Sequence, residues 1–127
     1  MDKTAAIQSF LSQFLPAYEE NSIPSQPARP AYPYITYEGI DNNFNEGLYP
    51  MTFTTWYREL SWVNAVTMTR RISRAIPSTG LMLQCDDGHV LIYKADSIPF
   101  AQRMGDDSDD LIKKTVFSLD VRFYTVF

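Results

Sequence analysis

A chain of 127 residues fits one domain, since domains typically hold about 100–150 residues. With 45% hydrophobic and 14% aromatic residues it is too rich in sticking side chains to be a disordered polymer, and enough aromatics remain to furnish an interface. The formal charge of -4 and the pI near 4.8 disfavour tight binding to a phosphate backbone. The one cysteine, Cys85, excludes an internal disulfide and points to a cytosolic folding environment. The start, Met1 to Phe14, does not read as a signal peptide, and no run approaches the roughly 20 apolar residues of a membrane span, so a soluble chain is expected.

The first element is an amphipathic helix, expected over about Thr4 to Tyr18 within a helical unit of residues 1–20. Ile7, Phe10, Leu11 and Phe14 share one face at a period near 3.6, while Gln8, Ser9, Ser12 and Gln13 fill the other. Asp2 or Thr4 caps its start, and Pro16 discourages continuation. Next, Pro24, Pro27, Pro30 and Pro33 recur every third residue, the period of a polyproline II helix. Residues 21–33 therefore read as a stiff extended arm, which either crosses the protein's own surface or reaches a neighbouring subunit.

Residues 34–127 hold the sheet and a second helix. Ala31 to Glu38 is β-branched and aromatic, and Tyr49 to Glu59 alternates after a polar turn at Asp41, Asn42 and Asn43. Met51, Phe53 and Thr55 take one face of that strand; Thr52, Thr54 and Trp56 take the other. The second helix starts near Ser61 and ends before Pro77, with an apolar stripe of Ala65, Met68, Ile72, Ala75 and Ile76. Arg70, Arg71 and Arg74 lie mostly off that stripe, as a solvated face near the helix C-terminus or as a site for an acidic partner. Leu81 to Cys85 and Val90 to Lys94 form a hairpin about the Asp87-Gly88 turn, which also holds His89. Ala95 to Asp110 reads as a long loop. Leu111 to Phe127 is a final strand with Phe117, Leu119, Val121 and Phe123 on one face.

The expected fold is α+β: a mostly antiparallel sheet flanked by two helices, in the order α-β-β-α-β-β-β, with the helices on one face.

Enzyme chemistry finds little footing, so a non-enzymatic protein without cofactor is expected. Zinc needs three or four His or Cys ligands, and His89 and Cys85 are the only such residues. The two lie at a hairpin tip without an orienting third group, and Cys85 reads as a small core residue. No phosphate-cradling glycine loop occurs among the five scattered glycines. Asp106, Asp107, Asp109 and Asp110 offer hard oxygen ligands, but their spacing is not that of an EF-hand loop. They read better as a solvated acidic turn that caps the next strand, or as a patch that pairs with the arginine cluster of another copy. A small hydrolase or ligand-binding domain using the acidic loop and His89 is the reading from another functional class.

Several segments together resemble the tail terminator proteins of long-tailed bacteriophages, particularly the small ones of phages and prophages of Gram-positive bacteria. They are the N-terminal helix, "PARPAYPYITYE", "LYPMTFTTWYRELSWVNAVTMTRRIS", and above all "PFAQRMGDDSDD" followed by "IKK" and the long last strand. The element order also matches the terminator fold. The resemblance implies a virion protein at the head–tail junction, made in the bacterial cytoplasm. It would form a homo-oligomer, typically a hexameric ring, that ends tail-tube polymerisation and offers the head-joining surface. Partners implied are the tail tube protein and the head–tail connector, with genome DNA passing the lumen without specific binding and no membrane involved. A head-completion or connector protein is the alternative. On this reading the subunit contacts fall on the arm around Arg29 and Tyr32, on Trp56 and Tyr57, and on the loop with Phe100, Arg103, Asp109 and Asp110.

Overall fold

A computed structural model of the chain describes residues 3–20, 31–38, 48–86, 88–94 and 100–125. Asp2, the arm prolines Pro24, Pro27 and Pro30, Arg29, the Asp41–Asn43 turn and Asp87 lie outside these residues. Among the described residues nine elements succeed one another: α1 Lys3–Ser12, β1 Ala17–Glu19, β2 Tyr34–Tyr37, β3 Leu48–Arg58, α2 Val63–Ala75, β4 Leu81–Cys85, β5 Gly88–Lys94, β6 Ala101–Met104 and β7 Ile112–Thr125. They form a seven-stranded sheet of order β1-β2-β3-β7-β5-β4, with β6 beside β5 on the same edge of β7.

The order departs from the expected one by two additional strands, and the sheet is mixed. β1 runs parallel to β2, whereas every other described pairing is antiparallel. The expected first helix is too long by about a turn and a half. Pro16 has no N–H with which to continue the helical ladder. The chain tightens through Phe14 N to Leu11 O at 3.0 Å, and Pro16 then accepts Ile35 N at 2.8 Å. Beyond Pro16 the backbone is extended, as β1. Thr4 lies inside α1, and Gln8, from the polar face, bridges to the sheet by accepting Tyr37 Oη–H at 3.2 Å. In the expected loop 95–110, residues 101–104 form β6. His89 is likewise not a turn residue but part of β5, opposite Gln84 and Tyr124.

Strand β7 organises the sheet. It lies between β3 along Ile112–Arg122 and β5 plus β6 on its other side. Its alternation sends Phe117, Leu119, Val121 and Phe123 into the core. Ile7, Phe10 and Leu11 of α1 and Ala65 and Ile72 of α2 join the same cluster, so both helices cover one face. Helix α1 touches β1 at one edge of the sheet and β4 and β5 at the other. The sheet therefore curls about α1.

Gly80 leads into β4 with φ of +98°, and a Cβ there would stand 2.6 Å from the Tyr93 ring. Only glycine suits both demands. No helix among the described residues is long and apolar enough to cross a membrane.

Candidate interaction site

Ser61 Oγ accepts the Val63 N–H at 3.1 Å. Helix α2 has Trp62 as its N-cap residue, without a side-chain cap bond, so the expected cap at Ser61 falls one residue early. Its stripe of Ala65, Thr69 and Ile72 is buried against the sheet. A neighbouring stripe, Val66, Arg70 and Ser73, is left facing β6 across an open groove of about 320 Å³. The other wall is Phe100 to Arg103, and Thr115 lies at its floor. A contiguous hollow extends the groove past Trp62 and Val63 at the start of α2.

The floor is fixed by hydroxyls. Thr69 Oγ1 donates to Ala65 O at 2.9 Å and also meets Thr115 Oγ1 at 2.9 Å. Having spent its only hydrogen, Thr69 accepts from Thr115, and Thr115 in turn accepts from Thr55 in a short contact. This chain of donors lets three buried threonines sit between helix and sheet with their hydroxyls paired. The Phe100 wall is held by stacking on Phe117 at 5.1 Å, and Phe117 stacks in turn on Phe53 at 5.4 Å.

Two cations stand over the rim. Arg103 lies 5.6 Å from the Trp62 ring, which Lys113 also approaches at 5.9 Å. Arg70 faces the same groove from α2. The arginine cluster read from the sequence therefore splits: Arg71 turns to the Phe14 ring at 5.8 Å, toward α1, and Arg74 remains exposed in the last turn.

Beside the groove, the acidic turn divides into structural and free carboxylates. Asp106 accepts Ser108 N–H at 2.8 Å as well as the Ser108 hydroxyl, and these bonds hold its pKa below the ordinary 3.8. Asp109 accepts Leu111 N–H at 2.9 Å and Arg58 Nε–H at 2.9 Å, which lower its pKa in the same way. Asp107 and Asp110 are exposed.

Two exposed large hydrophobic side chains adjoin this corner: Val63, 66% exposed, lines the hollow, and Leu60, 89% exposed, directly precedes Ser61 of its lining. Met104, 47% exposed, pairs with Lys114 and so points to the opposite face of the sheet from Arg103. Strand β6 pairs only with β7 among the described residues.

The contact residues expected from the sequence fall in three places. Phe100, Arg103, Asp109 and Asp110 come together at this corner. Arg103 and Asp110 are exposed, whereas Asp109 is tied to Arg58 within its own chain and is no longer free for a neighbour. Tyr32 and Trp56 lie in a second cluster around Tyr34, which is only 1% exposed. There Trp56 donates Nε1–H to Thr36 Oγ1 at 2.9 Å and carries Lys114 at 5.1 Å over its ring. Tyr57 faces the core at 6% exposure, and burial pushes its hydroxyl pKa up, so it offers a partner almost no surface. Arg29 lies outside the described residues. Sequence reasoning missed Leu60 and Val63; the signal was apolar residues that fit neither the α2 stripe nor a strand alternation.

The hairpin register puts Cys85 with Leu81 and Leu83 on one face and His89 with Leu91 and Tyr93 on the other. Cys85 is half-buried at the end of the hairpin rather than a core residue, and the His89 ring stacks on Tyr124 at 4.6 Å. Among the described residues no three His, Cys, Asp or Glu side chains converge in a metal-binding group. No protein-family model matches the chain, and neither a curated protein nor a solved structure matches it.

Proposed function

We propose that the chain is a non-enzymatic structural protein of a tailed phage, a tail terminator that forms a ring on the last turn of the tail tube and offers the head-joining surface. The observation that carries the protein-binding part is the α2–β6 corner, where exposed Leu60 and Val63 adjoin a groove rimmed by Arg70 and Arg103. Exposed apolar side chains gathered at one place mark contact surfaces rather than ordinary solvated skin. The tail role rests on the sequence resemblance, above all on the segment from Phe100 to Lys114. A ring requires head-to-tail contacts that close by rotation, and a surface with distinct chemical corners suits them. The acidic balance of the chain suits a lumen through which DNA passes, because a basic lumen would hold the phosphates.

Adding the purified chain to polymerising tail-tube protein tests this reading. Growth is expected to stop, with the chain found at tube ends in electron micrographs. Tubes of unchanged length with no end density would overturn it.

A further inference from the structure

We propose that two copies of the free protein pair about a two-fold axis, each placing Asp107 and Asp110 of its acidic turn against Arg70 and Arg103 at the groove of the other. The inference goes beyond the tail role and does not depend on it. Its occupant is chosen by charge: the groove rim is cationic, while the chain as a whole carries -4 and concentrates acid in the turn that comes after β6.

Internal bonds decide which groups are available. Asp106 and Asp109 are committed to Ser108, Leu111 and Arg58, and Arg71 points to Phe14, away from the groove. Exposed Asp107 and Asp110 on one side, and exposed Arg70 and Arg103 on the other, are left to meet. Arginine suits this role, since its planar fork takes a carboxylate in two parallel bonds.

The two-fold arises from where the patches sit. Lys113 Nζ donates to the Asp110 carbonyl and also reaches the Trp62 ring at the groove, so acidic turn and groove adjoin on one copy. With donor and acceptor patches side by side on one face, a second copy related by a two-fold meets both at once, an isologous contact that closes at two copies. The same pairing covers Val63. It keeps the sticky corner out of water until a larger assembly replaces it. A small contact dominated by rim charges is weak and sensitive to salt.

Sedimentation velocity of the full chain at about 0.01 M and about 1 M salt reads the pair directly, since screening shortens from about 30 Å to about 3 Å between them. The expected result is twice the 14.6 kDa chain mass at low salt and the single mass at high salt. R70E/R103E and D107K/D110K are each expected to weaken the pair at least about tenfold, and a one-to-one mixture of the two variants to restore it at low salt. Circular dichroism confirms that both variants fold. A wild-type chain that stays single at low salt overturns the proposal, as does a pair unaffected by both reversals. A larger closed ring abolished by the same reversals overturns the two-fold arrangement and leaves the tail role standing.

Discussion

Phe117→Ala is expected to lower the unfolding free energy by about 3–5 kcal/mol. Phe117 is 2% exposed and sits on β7, which has neighbours along both edges. Its ring lies between Phe53 at 5.4 Å and Phe100 at 5.1 Å, both close to parallel. Truncation removes two aromatic contacts at once, each worth about 0.5–1.5 kcal/mol beyond the buried area. The cavity has strand backbone along both flanks, so the surroundings collapse poorly and the upper half of the range applies. Urea unfolding checks it through a lower midpoint at unchanged slope. Because Phe100 loses its stacking partner, the groove wall should loosen as well, seen as faster hydrogen exchange at Ala101 to Met104. A loss below about 1 kcal/mol would contradict this packing.

Ile72→Ala should cost about 2–5 kcal/mol, in the lower half if α2 settles toward the sheet. Ile72 is fully buried at the centre of the α2 stripe and joins the same cluster as the β7 side chains. Besides Ala65 and the Thr69–Thr115 bond, it is what holds α2 at the distance that leaves the groove open. Arg74→Ala, on the exposed face of the same helix, serves as the control and should stay within about 0.5 kcal/mol of the parent. Equal losses for the two variants would mean that the helix is not anchored through this stripe. A typical domain holds only about 5–15 kcal/mol in total, so either core truncation takes a large share of it.

Those two residues also show which parts of the fold are legible in a sequence. Phe117 belongs to a strict two-residue alternation and Ile72 to a clear helical stripe; both patterns arise because one face is buried along the whole element. The shorter strands carry no such record. β1 is Ala-Tyr-Glu, held by backbone pairing with β2 and by an end of helix that Pro16 forces. β6 is a short strand whose Gln102, Arg103 and Met104 are all exposed, so no apolar period marks it. The hairpin is legible from its Asp-Gly pair, but its register, which sends Cys85 and His89 to opposite faces, is not.

The interaction corner was half readable. Phe100, Arg103 and the acidic run stand out as a segment, but the partner wall lies on α2, and only the fold brings Arg70 and Val63 to it. Local hydrogen bonding also reassigns roles that composition leaves equal. Asp109 and Asp110 are neighbours of identical chemistry, yet one closes its own turn through Arg58 and Leu111 while the other faces solvent. Tyr57 and Trp56 differ in the same way, since adjacent residues of a strand must face opposite sides. Trp56 lies on the face without helices and Tyr57 under α2.

The measurement that bears most directly on the proposed role is electron microscopy of phage tails assembled with and without this chain. Tails of fixed length are expected when it is present, and overlong, uncapped tubes when it is missing. Tails of normal length that fail only to join heads would contradict the terminator role and assign the chain to the connector instead.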